Sequence, residues 1–577
     1  MQEEQVVRGA DVLVTSLVEA GVEVLFGLPG DTGVVLYDAL HGRRDGIRHV
    51  LTRDERHASI MADAYARTTN RVGVLEVSSG GGCTYAVGGL GEAYSSAIPL
   101  LLLSSDIHSA SRGSGALTEI DQLSLFAAVT KWRVSVERAG DIPGLVAEAL
   151  SHALTGRPGP VALVLPEDVL DEEVVVGKLP AELTGLAAGD LRPRPTVGAA
   201  ELDATAELLL AAQRPAIVAG SGVHHSSAWA ELGQLAEAAA CPVATTIHGK
   251  GAIAETSDLS LGVAGNNGGR PYVNEYLATA DTVLFVGTRA NATDTNSYTT
   301  PARGEANIVH LDIDPRRAGA NYPGSRRLVG DAAVVLGELG ERVRNAGGRT
   351  DADVRRRVAD DRAAWRAEEE RPELPSGQLL PRDVIRAVAD VLGDAVTVLA
   401  DPGTPTPNVA SYWECHTAGR TVLVPRGHGP MGWAVPATVG AALGEPRRPV
   451  VAFTADGSFA MAGLELETIA RLALPVCFVQ FTNDSLGWIK MLQHLYSGQR
   501  YFSVDPGPID APAVADACGV EGRRVTTATE LEDALERFAQ ARAPIYLDVQ
   551  VPHMIDHLPP VPFWRQAIER GGGRPVY

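Results

Sequence analysis

Apolar positions in this chain alternate between two patterns. Short, nearly unbroken runs of Val, Leu, Ile and Phe are followed by longer stretches in which apolar residues recur at helical spacing. Runs at 22–26, 48–51, 71–77, 99–103 and 160–166 form a first block. Runs at 214–219, 283–287 and 308–314 form a second, and runs at 449–453 and 476–481 a third. Strands this evenly apolar are buried on both faces, as in parallel sheets covered by crossover helices. The pattern predicts an α/β fold of three consecutive doubly wound parallel-sheet domains, divergent copies of one architecture with no repeat visible by identity. Pro and Gly enrichment marks 179–198 as a linker. The charged stretch 345–376, with Arg355-Arg356-Arg357 and Glu368-Glu369-Glu370, reads as a solvated helix and linker. Domains are therefore expected at 1–178, 199–345 and 377–551. The tail 552–577, with Pro559, Pro560, Pro562 and Gly571-Gly572-Gly573, looks too irregular for a core.

Length and composition narrow the class. At 577 residues the chain has room for three or four domains. The balance of 45% hydrophobic and 21% charged residues is that of a soluble globular protein. A net charge of −21 argues against nucleic acid or an anionic membrane surface as partner, but not against an anionic substrate. Met1-Gln2-Glu3-Glu4 lacks the basic start of a signal peptide, and no apolar span reaches the roughly 18–20 residues of a membrane helix. Five cysteines lie far apart without a Cys-x-x-Cys, as expected for reduced thiols in a cytoplasmic protein.

The third block carries the clearest chemistry. Ala455-Asp456-Gly457-Ser458 follows one apolar run, and Thr482-Asn483-Asp484 follows the next, with Asn483 27 residues after Asp456. Leu464, Leu466, Ile469 and Leu472 recur between them at roughly helical spacing. This is a βαβ unit that places Asp456 and Asn483 at the C-terminal ends of parallel strands, where open α/β sheets bind ligands. A carboxylate and a carboxamide there offer hard oxygen ligands for Mg²⁺, and the ion would bridge to a phosphate. Taken alone, the two dipeptides are also compatible with surface turns. In the first block, Gly80-Gly81-Gly82 after the run at 71–77 reads as a tight strand-to-helix turn. Gly220-Ser221-Gly222 lacks the third Gly of a dinucleotide motif and reads as a plain βα turn.

The Asp456–Asn483 interval resembles the diphosphate-binding signature of thiamine diphosphate (ThDP) enzymes, Gly-Asp-Gly followed after about 25–30 residues by Asn-Asn. Ala455 and Asp484 depart from that pattern. The resemblance implies that Asp456, Asn483 and Ser485 hold Mg²⁺, and that Asp456, Gly457, Ser458 and Asn483 bind the diphosphate. The segment Thr52 to Arg67 resembles the one that carries the family's essential Glu, which falls on Glu55. That carboxyl would hydrogen-bond the cofactor's pyrimidine and must be poised to share a proton. His428-Gly429-Pro430-Met431-Gly432 resembles the family's Gly-x-Met-Gly segment. It implies that Met431 wedges the cofactor into its bent shape and that the Gly429 backbone binds its amino group. His428 beside the ring is a candidate proton carrier. The likeness extends to Gly156-Arg157-Pro158-Gly159-Pro160, Gly249-Lys250-Gly251, Asp312-Ile313-Asp314-Pro315 and Val329-Gly330-Asp331-Ala332, as in acetolactate-synthase-like enzymes. It implies pyrimidine-binding, central and diphosphate-binding domains, in that order. It further implies an active site between subunits of a homodimer or homotetramer. Whether the central domain takes FAD or ADP stays open.

The substrate side departs from the synthase pattern. Thr118, in Leu117-Thr118-Glu119, stands where the family has a substrate-facing Gln. Leu492 stands where synthases favouring a larger acceptor carry Trp, and Trp488 replaces a smaller residue one turn earlier. With Gly30 and Gln493, these are the candidate substrate residues. Two activities follow from the resemblance. One is a 2-oxo-acid decarboxylase and carboligase that forms an enamine from pyruvate or a relative and joins it to an acceptor. The other is a lyase or decarboxylase of the 2-hydroxyacyl-CoA or oxalyl-CoA type, acting on an acyl-CoA with the tail as a lid. A non-catalytic subunit of the same fold is a third reading, disfavoured by intact Glu55, Asp456 and Asn483.

Overall fold

The computed structural model describes residues 6–175, 179–189, 192–368 and 372–570. The expectations for Met1-Gln2-Glu3-Glu4, Glu369-Glu370 and Gly571-Gly572-Gly573 lie outside them. The short strand β1 (Val6–Arg8) pairs antiparallel with β8 (Glu173–Val175) at the edge of the first domain. The first sheet is built from β2 (Val24–Gly27), β3 (Arg48–Leu51), β4 (Gly73–Val77), β5 (Leu100–Asp106), β6 (Trp132–Ser135) and β7 (Val161–Pro166), in the order β3-β2-β4-β5-β7-β6. The central sheet holds β9 (Pro215–Ala219), β10 (Val243–Thr245), β11 (Ser260–Val263), β12 (Thr282–Val286), β13 (Asn307–Asp312) and β14 (Arg326–Val329). Its order is β11-β10-β9-β12-β13-β14. The third contains β15 (Thr397–Ala400), β16 (Val422–Leu423), β17 (Val450–Ala455), β18 (Val476–Thr482), β19 (Glu521–Val525) and β20 (Ile545–Gln550), ordered β16-β15-β17-β18-β20-β19.

All three sheets are parallel with helices between their strands, as the apolar runs predict. The first and third follow the same path through space. The central sheet does not, so only the outer two are topological copies. Its order is the mononucleotide-pair arrangement, with a crevice between β9 and β12 where the chain reverses direction. The corresponding crevices in the outer sheets lie between β2 and β4, and between β15 and β17. Each is a place for a ligand.

The outer domains share one core. Phe26 and Tyr65 from the first and Trp433, Phe478 and Tyr546 from the third belong to a single buried cluster. Helix Glu55–Thr69 crosses helix Ala434–Gly444 at close range, because Gly440 has no side chain where the Met61 carbonyl approaches. Arg67 is buried at this junction. It pairs with Asp63 at 2.9 Å and Glu92 at 3.0 Å, and donates to the Val424 carbonyl at 3.0 Å. The Trp433 indole N–H also donates to Asp63, at 3.1 Å.

Two segments differ from expectation. The linker after β8 packs down, with Leu183 and Ala187 buried in the core of the first domain. The tail is more ordered than its prolines suggested. Met554, Val561 and Trp564 are buried in a small core with Met491, and helix Pro562–Arg570 begins at the proline, where a missing N–H costs nothing. No helix among the described residues is long and apolar enough to cross a membrane.

Candidate active site

Asp456 opens the helix Asp456–Ala462 directly after β17, at the third sheet's crevice. Its Oδ2 accepts the backbone N–H groups of Asn483 (3.0 Å) and Asp484 (2.7 Å), and its Oδ1 accepts that of Gly457 (2.7 Å). The carboxylate thus locks the β17 turn to the β18 turn. Asp484 has φ +53, a left-handed conformation that Asn and Asp tolerate best. Burial pushes the Asp456 carboxyl up, against the three N–H groups that favour its charge. An added cation would relieve that cost. Ser485 Oγ donates to the Val504 carbonyl at 3.2 Å, and Asn483 and Ser485 are both buried. This donor set, one carboxylate with a carboxamide and a hydroxyl, suits a hard cation that keeps phosphate and water as its other ligands.

Met431 and Ser458 gather at the same turn. A Cβ on Gly457 would lie 3.1 Å from Met431 Cε and 2.9 Å from Leu486 Cδ2, so a side chain there would have to displace the ends of both. Ser458 is buried at the crevice. Across it, Asp401 after β15 accepts the Ala434 N–H at 2.9 Å and the Thr454 hydroxyl at 2.7 Å. Burial raises the Asp401 carboxyl to about 6. The loop before Met431 is held by Glu92 of the first domain. The Glu92 carboxylate accepts the N–H groups of Gly427 (3.0 Å), His428 (2.6 Å) and Gly429 (3.1 Å). Burial opposes the charge on Glu92, but Arg67 and these donors outweigh it and hold the carboxyl low. Gly429 has φ +69, which only glycine adopts freely. The His428 ring is exposed and lies over Gly91.

Glu55 lies at the crevice of the first sheet. Asp54 caps its helix by accepting the Arg56 N–H at 2.8 Å, and Glu55 is the first helical residue. It is 9% exposed. Its Oε1 lies 3.0 Å from where a Cβ on Gly82 would stand. Burial, with Asp54 adding repulsion, pushes its carboxyl up. Gly80 turns the chain at φ +67, and Thr118, itself at φ +66, covers it. Thr118 Oγ1 is 2.7 Å from Ser79 Oγ, Gly30 rests on Ser78, and Leu117 is 84% exposed. Gly30, Thr118 and Glu55 are therefore brought together. His57, next on the helix, is tied to Glu465 of the third domain at 2.6 Å.

The remaining candidates form a separate group. Trp488 and Leu492, on helix Gly487–Tyr496, face the tail, and the Trp488 ring lies 4.3 Å from that of Trp564. Both ends of the Gln493 amide bond the Phe502 backbone, at 3.0 and 2.9 Å. No hydrogen bond among the described residues joins this group to Thr118, nor the Glu55 cradle to the Asp456 turn. Glu92 and Asp401 were not legible as site residues. The signal for Glu92 was a lone charge inside the small, apolar helix Gly81–Ser96.

A third cleft lies at the central crevice. Gly222 packs on Gly287, its N–H bonded to the Gly287 carbonyl at 2.9 Å. Arg157, Arg289 and Arg317 line it with Asp312 and Asp331. Burial, then Arg317 and Arg289, lower the Arg157 pKa, while burial raises Asp312 to about 6.

Comparison with known proteins agrees with this division. Residues 7–125 match the thiamine pyrophosphate enzyme N-terminal TPP binding domain, 202–339 the central domain, and 401–549 the C-terminal TPP binding domain. A probable acetolactate synthase large subunit of Methanococcus aeolicus is 32% identical, over 94% of this chain and 92% of its own length. The corresponding protein of Methanocaldococcus jannaschii is 32% identical over 96% of this chain and 93% of its own. The acetolactate synthase isozyme 3 large subunit of Escherichia coli is 31% identical over 99% and 98%.

Proposed function

The chain belongs to the acetolactate synthase-like family of ThDP enzymes, and from that premise we propose that it decarboxylates a 2-oxo acid such as pyruvate and joins the remaining acyl unit to an acceptor. It is a ThDP-dependent enzyme of carbon–carbon bond chemistry. Bound ThDP supplies a carbon nucleophile and an electron sink. Asp456, Asn483 and Ser485 would hold Mg²⁺ against the diphosphate, with Gly457 and Ser458 giving it room at the helix start. Met431 would shape the cofactor from beside Gly457, and Gly429 would present its backbone to the amino group. Glu55 would share a proton with the pyrimidine ring. The observation that carries this reading is the Glu55 carboxyl, buried against Gly82 and shifted upward by that burial, the direction a proton-sharing acid requires.

Glu55 and Asp456 lie in separate crevices of one chain, which supports a homodimer, or a dimer of dimers, with each site built from two chains. Exposed Tyr85, Leu117, Met461 and Leu464 are apolar surface for that contact. Because some relatives are named large subunits, a smaller regulatory partner is a further possibility for this chain. Arg157, Arg289 and Arg317 of the central cleft suit a pyrophosphate, so an adenine nucleotide such as FAD or ADP belongs there in this reading. The acyl-CoA alternative is tested in the same assay. Pyruvate and a 2-hydroxyacyl-CoA are supplied separately with ThDP and Mg²⁺. Carbon-joined product from pyruvate without CoA release from the thioester is the expected result. CoA release alone would replace carboligation with the lyase.

A further inference from the structure

Behind the Glu55 cradle lies a buried carboxyl that none of these roles uses. Glu76, on β4, has no exposed surface. Its Oε2 accepts a hydrogen bond from the Tyr37 hydroxyl, whose oxygen is 3.2 Å from His49 Nε2. Tyr37 gives its only proton to Glu76, so the His49 ring must donate to Tyr37. Burial, then Arg471, hold His49 down to about 4, so near neutral pH its ring is uncharged. Tyr37 and His49 reach an outer surface cavity, which His41, Arg44 and Arg48 also line. The donors therefore run inward, from His49 through Tyr37 to Glu76.

The other carboxyl oxygen, Oε1, is buried without a hydrogen-bond partner. It lies beside Gly33, where a Cβ would meet Oε1 at 3.0 Å and Ser105 Oγ at 3.4 Å. Ser105 Oγ is not hydrogen-bonded to Oε1 and donates to the Val77 carbonyl at 3.3 Å; from it a row of hydroxyls leads on. Ser105 Oγ is 3.0 Å from Thr32 Oγ1, Thr32 Oγ1 donates to Ser79 Oγ at 3.3 Å, and Ser79 Oγ is 2.7 Å from Thr118 Oγ1. Thr118 stands over Gly80 at the rim of the Glu55 cradle. Burial raises Glu76 to about 8, against the Tyr37 bond and with added repulsion from Glu55, so the acid keeps its proton at neutral pH.

We propose that His49, Tyr37 and Glu76 conduct protons from solvent, through Ser105, Thr32 and Ser79, to the Thr118 side of the substrate pocket. The use of that proton rests on the carboligase reading. Two 2-oxo-acid anions become one hydroxy-oxo-acid anion and CO₂, so one proton is taken up per turnover. In the relay, the Glu76 carboxyl turns to bring its Oε1 proton to Ser105, gives it to the hydroxyl row and takes the Tyr37 proton on Oε2. Tyr37 takes the His49 Nε2 proton, and His49 regains one at Nδ1 from water. Only O–H and N–H bonds change, and no oxidant or reductant is needed.

The test uses the holoenzyme with ThDP and Mg²⁺. Infrared spectroscopy at pH 7 without substrate should show the carbonyl band of a protonated carboxyl, lost in Glu76→Gln. With pyruvate, kcat should fall about tenfold or more in Glu76→Gln while KM and ThDP affinity hold. Tyr37→Phe should give the same split, and the double variant should be no slower than the slower single one. If Glu76→Gln fails to fold, Tyr37→Phe alone decides through that split. Multiplying losses in the double variant, a raised KM with unchanged kcat, or no such band in the wild type would overturn the path. Wild-type protein with the band but no carboligation would count against the functional reading and not against the buried acid.

Discussion

Glu55 opens its helix directly after the Asp54 cap, and that cap, together with the bare backbone at Gly82, sets where its carboxyl lies. Glu55→Gln keeps the shape but cannot exchange a proton. Turnover should drop by about 10²–10⁴ with ThDP still bound, measured as kcat at saturating cofactor; unchanged kcat would remove Glu55 from the role. Asp401 offers a test that needs no substrate. Its pKa is raised from the ordinary 3.8 to about 6, so the folded state binds its proton more tightly than the unfolded state does. The stability tied to that proton is complete below about pH 4 and is lost as pH rises through about 6, up to roughly 3 kcal/mol. Denaturant midpoints of wild type and Asp401→Asn across this range should show the wild type losing stability relative to the variant. Parallel curves would refute the assignment. Asp456, Asn483 and Glu55 were legible in the sequence because each sits at a fixed offset from an apolar run. Glu92, Asp401 and Glu76 were not. Each is a single carboxyl whose meaning comes from groups distant in the chain, such as Arg67 with the Gly427–Gly429 N–H groups, Thr454, or Tyr37.

At the scale of elements, strands such as β5, β7, β17 and β18 were readable because they are apolar on both faces, whereas the interior β15 and β20 went unread. The edge strands β14, with its Arg326-Arg327 start, and β19, Glu521–Val525, were not readable, since exposure lets charge replace the apolar signal. The tail misled in the other direction. Its prolines looked too irregular for a core, yet Trp564 is 1% exposed and its ring lies tilted against that of Trp488. Helix Gly487–Tyr496 is thus fixed from behind by the tail and joined to the Asn483 turn through Ser485 and Leu486. Trp488 and Leu492 stand four apart on it and share a face. Leu492→Trp should alter that packing and change the choice between a small and a large acceptor by roughly tenfold to two-hundredfold, with ThDP affinity unchanged. Product ratios from a competition of two acceptors measure this. A flat ratio with activity retained would place the face away from the substrate.

Across the whole molecule, three sheets present three crevices, and the outer two are copies joined through one core. The close helix crossing at Gly440 and the buried Arg67 network make the first and third domains one rigid unit within a chain. In the proposed dimer, a site needing both Glu55 and Asp456 is completed by a second chain. Glu55→Gln and Asp456→Ala proteins, each nearly inactive alone, should regain activity when unfolded and refolded together, because mixed dimers hold one intact site. No recovery from well-folded mixed dimers would place both residues in one chain's site. The claim beneath all of this is carboligation by bound ThDP. The most direct measurement follows ¹³C-labelled pyruvate by NMR with purified protein, ThDP and Mg²⁺. The account predicts labelled CO₂ together with a product containing a new carbon–carbon bond, both abolished when ThDP is omitted. Pyruvate left unchanged by protein that calorimetry shows to be loaded with ThDP would contradict it.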